Sequence, residues 1–226
     1  MASPTYVNET ATINTTASST LTVSVPGSIA NGDVILLFVN SDGASNPVTS
    51  WPSGFTQGGT GSTNNQTGSW AWKAAASESG SYVVTQTFTL RGSIICVAYR
   101  GCAGSPINAS SSAASSAANS MPATVTAPSV TTTVANTTLV WCGMNDDGGG
   151  ATGYTAPSGY TKCYDTGSTM DATQAVCDIA NASAGATGSV SGTATGSGTM
   201  GWISFLIALA PLPTGSTKQL LTLGVG

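Results

Sequence analysis

Apolar residues along this chain fall into two patterns, and both belong to β-strands. Leu21, Val23 and Val25 alternate with Thr22 and Ser24, the period-two spacing of a strand with one buried face. Val34 to Val39 is instead a continuous apolar run behind Asn31-Gly32-Asp33. A run that short, bounded by turn residues, predicts a strand covered on both faces. Trp70 and Trp72 are two apart and so share one side of a strand. Residues 81–90 are rich in strand formers, Arg91-Gly92 predicts a turn, and Ser93 to Tyr99 predicts another covered strand. Residues 1–18 are polar and Thr/Asn-rich, which suits an arm or an edge strand. Residues 103–120 are mostly Ser and Ala; Ser competes for backbone hydrogen bonds, so a connecting loop is expected there.

The pattern occurs twice. Ala30-Asn31-Gly32-Asp33-Val34 and its apolar run return at Ala135-Asn136-Thr137-Thr138-Leu139, and Trp51-Pro52-Ser53-Gly54-Phe55 returns as Ala156-Pro157-Ser158-Gly159-Tyr160, a shift of 105 in both cases (135 − 30 and 156 − 51). Gly80 and Gly185 keep that shift, whereas Ala98 and Ala208 are 110 apart (208 − 98). The shared Pro-Ser-Gly turn predicts an aromatic sent inward in each copy. The halves run over about 20–101 and 122–210.

About ten strands punctuated by Gly and Pro, with no helix of ordinary length, predict an all-β fold: a jelly-roll-like β-sandwich to which each half gives part of the strands. One copy alone has too few large apolar residues to build a core, so one fused domain over 19–210 is expected. Residues 1–18 and 211–226 flank it as N- and C-terminal arms. The last segment opens with Pro211-Leu212-Pro213 and carries Leu220-Leu221-Thr222-Leu223, which would be sticky alone and is expected to dock on a neighbour. Pro211, Leu212, Pro213, Leu220, Leu221 and Leu223 are therefore the candidate interface residues.

Composition narrows the function. Charged residues make up 6% of the chain, against about 25% in an average globular protein. The five basic residues, Lys73, Arg91, Arg100, Lys162 and Lys218, are scattered; nucleic acid and anionic membrane surfaces need them clustered, so neither is an expected partner. The longest apolar run, Trp202 to Ala210, is shorter than a membrane-spanning helix. The start, Met1-Ala2-Ser3-Pro4, lacks the pattern of a secretory signal, which points to synthesis in a cytoplasm. With so little charge there is weak repulsion between copies, which favours an assembled protein.

Chemistry is sparse. The chain has no histidine, which removes Ser-His-Asp and Cys-His catalysis and most catalytic zinc sites. Its five cysteines, 96, 102, 142, 163 and 177, fit no metal or redox spacing and read as small buried apolar side chains, with Cys96–Cys102 or Cys142–Cys163 as alternative bridges. A glycosidase pair could be sought among Asp33, Asp42, Glu78, Asp146, Asp147, Asp165, Asp171 and Asp178, but Asp146 and Asp147 are adjacent and point apart on an extended chain. A calcium ion would use Asp146, Asp147 and Asp165 with loop carbonyls; a solvated Asn/Asp turn is the reading set against it. Trp51, in a loop, is the candidate for stacking on a sugar ring, against an inward structural role. No cofactor is expected.

Gly32-Asp33 with its apolar strand, Pro52-Ser53-Gly54-Phe55-Thr56, Trp70-Ala71-Trp72-Lys73-Ala74 and Ile95-Cys96-Val97-Ala98-Tyr99-Arg100-Gly101 together resemble a group of phage- and prophage-encoded β-sandwich proteins. The likeness covers most of residues 20–210, and its motifs are turns and strands. It implies a virion structural protein, a capsid decoration or cement protein held to sister copies (a trimer by analogy) and to the major capsid protein. A tail or fibre module that binds a receptor or glycan is the alternative. The second half departs from the pattern: Asp178 stands for the lysine, and Leu209-Ala210-Pro211 for the closing Tyr-Arg-Gly.

Overall fold

The computed structural model describes residues 1–45, 47–146, 151–167 and 172–214. Among them the regular elements are all strands. The first half holds β1 (Thr5–Ser24), β2 (Val34–Asp42), β3 (Val48–Ser50), β4 (Thr56–Ser62), β5 (Gln66–Ala74) and β6 (Ser81–Arg100). Then follow β7 (Cys102–Ser110), β8 (Ala114–Ser120), β9 (Ala123–Ala127), β10 (Thr131–Thr132), β11 (Thr137–Asp146) and β12 (Ala151–Thr155). The chain finishes with β13 (Thr161–Asp165), β14 (Ala172–Asn181), β15 (Gly185–Ala186), β16 (Val190–Gly196) and β17 (Thr199–Pro211). Every pairing is antiparallel.

One large sheet runs β1-β6-β2-β5-β4, and the other runs β13-β14-β11-β17-β7 with β8 also on β17. They pack face to face around Leu36, Phe38, Trp70, Val97, Val140 and Phe205, among others. Each large sheet is covered on its far side as well. In the first half, the end of β1 and the start of β6 fold back so that Leu21, Val23, Tyr82 and Val84 lie on Ile35, Leu37 and Cys96. In the second, the β12-β16-β9 sheet sets Val125, Tyr154 and Ala194 on Trp141, Cys177 and Leu206. The result is four β-layers separated by three apolar layers. That is a β-sandwich with more layers than the jelly-roll-like pair of sheets the sequence suggests.

The layering explains the continuous apolar runs. Along β2, Val34, Leu36 and Phe38 face the central layer while Ile35 and Leu37 face the outer one. Both faces are dry, so no position in the run suits a polar residue. β11 repeats this with Val140 and Cys142 inward, Leu139 and Trp141 outward.

Strand pairing corrects the register of the two halves. Leu37 lies between Ala71 and Cys96, and Trp141 between Cys177 and Leu206. The shifts are 104 for β2 and β11 (141 − 37), 106 for β5 and β14 (177 − 71) and 110 for β6 and β17 (206 − 96). The left-handed residues ahead of β2 and β11, Gly32 at φ 89° and Asn136 at φ 59°, show the same 104 (136 − 32). A uniform 105 holds for β4 and β13 but would equate inward Leu36 with outward Trp141, the face flip that a one-residue slip causes. Asp178 accordingly occupies the place of Trp72, not Lys73, since 178 − 72 is the β5-to-β14 shift of 106. Gly80 and Gly185 are not partners in this register, because Tyr82 matches Gly192 (opposite Val23 and Val125).

Several segments with open or irregular expectations are strands or bends. For residues 1–18 the edge strand holds rather than the arm: Thr5 onward is β1, hydrogen-bonded along β6 at the edge of its sheet. Residues 103–120 are not a loop, because β7 and β8 pair with β17. Arg91-Gly92 is a bend inside β6, where Gly92 approaches Asn40; a Cβ there would meet the Asn40 carbonyl oxygen at 2.7 Å. Pro211 is the last residue of β17 rather than part of an arm, and it pairs with Cys102. Residues 215–226 lie outside the described ones.

A buried polar seam crosses the central layer at one end. Asn40 Nδ2 donates to the carbonyls of Asn145 at 2.9 Å and Thr173 at 3.2 Å, in the other half. Gln66 Nε2 donates to Asn40 Oδ1 at 2.7 Å, and Ser93 Oγ donates across to Ala172 O at 2.5 Å. Gln174 Nε2 returns a bond to Ser93 Oγ at 3.0 Å. Asn40→Ala should cost about 2–3 kcal/mol, since it strips partners from three buried groups. Urea unfolding should show a lower midpoint with an unchanged slope; a midpoint within error of the parent would refute this role for the seam.

Candidate interaction surfaces

The first residues and the last described ones, 1–5 and 211–214, come together at one end of the sandwich. Pro4 O accepts from Thr138 Oγ1 at 2.5 Å, and Leu212 N–H donates to Gly101 O at 2.7 Å. Thr5 pairs with Arg100. Between these segments lies a groove of about 380 Å³ lined by Met1, Ala2, Arg100, Leu212, Pro213 and Thr214, among others. A second groove of about 570 Å³ shares Arg100, Gly101 and Leu212 and extends over Asn31, Asp33 and Cys102. Met1 and Leu212 are each 49% exposed, and they are two of the four exposed large apolar residues among those described, with Val83 and Phe88. The sequence marks Leu212 and Pro213 as interface candidates, and both line the groove; Pro211 is buried. Leu220, Leu221 and Leu223 lie outside the described residues.

Arg100 and Asp33 fix this end. Arg100 Nε and Nη2 donate to the two Asp33 oxygens at 3.0 and 2.8 Å, and Nη2 also reaches Ser28 O at 2.9 Å. Ala30 N–H adds a bond at 2.8 Å. Burial opposes ionisation of Asp33, but the bonds from Arg100 and Ala30 outweigh it and hold the carboxyl below its usual range. Its stabilisation is therefore present above the unfolded carboxylate range and is lost as pH falls through the folded value. The Gly-Asp and Tyr-Arg-Gly motifs, far apart in sequence, thus form one clasp.

The outermost faces carry hydroxyls. Thr22, Ser24, Ser81 and Thr85 point outward on the first half, and Thr124, Thr126, Ser191 and Thr193 on the second. Thr126 and Ser191 hydroxyls are 2.7 Å apart. Hydroxyls therefore line both outer β-layers, with exposed Val83 among them on the first half.

The other candidates are placed as follows. Trp51 is half-buried against the outer core of the first half, and its Nε1 donates to Gln57 Oε1 at 3.2 Å. Phe55 and Tyr160 both turn inward, as the shared turn predicts. Asp146 is buried in β11, and β14 separates it from Asp165 in β13. The Asp165 carboxylate takes Lys162 Nζ at 2.7 Å, Tyr154 N–H at 2.9 Å and Gly167 N–H at 3.0 Å. Those donors occupy the oxygens that the calcium reading assigns to an ion. Asp147 lies outside the described residues, among which no group of three His, Cys, Asp or Glu is placed to hold a metal. All five cysteines are free thiols, with Cys163 partly exposed and the others buried, so neither alternative bridge is present. Burial pushes the Cys102 and Cys177 thiols up to about 12, far from the thiolate form that reacts.

One cluster escapes a reading by spacing. Tyr99 OH lies 3.6 Å from Cys163 Sγ, which lies 3.3 Å from Asp178 Oδ2. It sits on the seam between the halves, with Tyr6 edge-on to Tyr99 at 6.2 Å. Burial raises the Asp178 pKa, and the bonds from Cys163 and Tyr99 only partly offset it. No protein-family model matches this sequence, and no curated protein or solved structure matches it.

Since the folded state holds the Asp178 proton more tightly than the unfolded chain, this group's stabilisation is complete below the unfolded carboxylate pKa of about 3.9 and is lost as pH rises through the folded value. Asp178→Asn should therefore melt higher than the parent at pH 8, and the two melting curves should converge near pH 4. Losses from Asp33 and Glu78 on acidification are common to both proteins. A constant gap across that range would contradict the assignment.

Proposed function

We propose that this chain is a non-enzymatic structural protein of a phage virion, a decoration or cement protein on the capsid exterior. The observation that carries this reading is the convergence of residues 1–5 and 211–214, with exposed Met1 and Leu212, on one grooved end of a sandwich whose outer faces carry hydroxyls. Such a body acts by shape: the layered core resists unfolding, and the ends supply apolar contact to sister copies and to the capsid shell. The resemblance of the Gly-Asp, Pro-Ser-Gly-Phe and Tyr-Arg-Gly elements to phage β-sandwich proteins points the same way. Sparse charge favours a molecule that is held in an assembly.

Quantitative mass spectrometry of purified particles that encode the chain checks this. A copy number in the hundreds is the expected outcome. A handful of copies would move the protein to the tail, and its absence from particles would remove the virion role.

A further inference from the structure

The grooved end has an occupant in the sequence itself. The chain leaves the first groove at Thr214 and continues with Gly215-Ser216-Thr217-Lys218-Gln219-Leu220-Leu221-Thr222-Leu223-Gly224-Val225. In an extended chain Leu221, Leu223 and Val225 fall on one side, with Thr222 and Gly224 on the other. That apolar edge matches grooves walled by Met1, Leu212 and Pro213, and by Ala30, Ala74 and Ala103. The six residue-to-residue steps from Thr214 to Leu220 reach about 20 Å when extended, enough to cross to an adjacent molecule.

We propose that the segment 220–225 of one copy seats in the Arg100–Leu212 grooves of a second copy, so that each subunit hands its tail to the next. Re-entry into its own groove would need the spacer to reverse and run back over Leu212 and Pro213, which themselves form the wall. A neighbour's groove asks for no reversal. Tail-to-groove contact is head-to-tail, and such contacts close into rings when the rotation allows. Few charges on either surface oppose the approach. The inference names the partner for the contacts in the reading above and rests on it for biological purpose, but it is a property of the purified protein.

Light scattering on the full chain over a dilution series should show a ring of fixed copy number. A chain ending at Thr214, and the double variant Leu221→Ser/Leu223→Ser, should both sediment as monomers with the parent's circular dichroism. Thr222→Ser, on the opposite side, should keep the ring. Leu212→Ser tests the groove independently and should also release monomers. A photocrosslinker at position 223 in isotopically heavy chain, mixed with light chain, should give heavy–light products at residues 30–33 or 101–104. A monomeric full chain, crosslinks confined to one chain, or tail variants that still form rings would each overturn the proposal. Rings from a protein that particles lack would leave it standing and remove the virion reading instead.

Discussion

The central strands of both large sheets must satisfy two apolar layers at once. On β2, Leu36 serves the central layer and Leu37 the outer one, and the same alternation runs along β6, β11 and β17. A strand in that position has no solvent side. Charge is costly there, and any polar or charged side chain within it, such as Asn40 or Asp146, must find a partner inside the protein. The scarcity of charge along β2, β11 and the inner stretches of β5, β6, β14 and β17 follows from this geometry, because both of their faces are covered. Where polarity enters, it comes as Asn, Gln and Ser, whose uncharged groups bond to carbonyls of the opposite half, as Asn40 and Ser93 do.

The same constraint made much of the fold legible. Short apolar runs behind Gly and Asn could only be doubly covered strands, and β2, β11 and the ends of β6 and β17 are. The inward aromatics after Pro-Ser-Gly were legible because the turn fixes where Phe55 and Tyr160 go. Edge strands were less so: for residues 1–18 an edge strand stood beside an arm, and residues 103–120 read as a loop. β7 and β8 are Ser- and Ala-rich, and β1 begins with Thr and Asn, so their side chains carry weak period-two signals; they are held by backbone bonds to β17 and β6, which any residue type can make. Register was legible only to within one residue. The loops between matching strands differ in length, so the offset climbs from 104 to 110 along the chain. Faces alone could reveal the slip, since one residue exchanges the central and outer layers.

The candidate site was legible in part. Leu212 and Pro213 stand out by sequence as exposed apolar residues after a last strand, and they line a groove. The Asp33–Arg100 clasp was hidden because its members lie 67 residues apart. Charges that suggested catalysis or calcium instead lock turns: Lys73 with Glu78 at 2.7 Å, Lys162 with Asp165 at 2.7 Å. With so few ionisable groups, those used as turn locks are not available for bond-making. Asp178 is the exception, a carboxyl placed where the other half has Trp72 and kept there by a thiol and a phenol. It gives the seam between halves a stability that answers to pH by way of a raised carboxyl.

Packing between the halves is reciprocal. β2 lies over β11, β6 over β14 while β17 lies over β5, and β1 over β13 while β8 lies over β4. Exchanging the halves returns the same set of contacts, which is the signature of an isologous interface. An interface of that kind is closed: each large face is used once and consumed. Further association must therefore draw on what the closure leaves over, namely the outer β-layers, the sheet edges and the chain ends. The outer layers present hydroxyls that water already satisfies, so covering them yields little. The edges offer backbone groups, but β4 is glycine-rich and polar, and it gives an incoming strand no apolar grip. Among the described residues, the end where β1 starts and β17 stops combines the exposed apolar side chains Met1 and Leu212 with a concave surface, and the sequence continues from it. The closure that uses up both large faces thus leaves this end, among the described residues, as the surface on which the proposed contact between copies would draw.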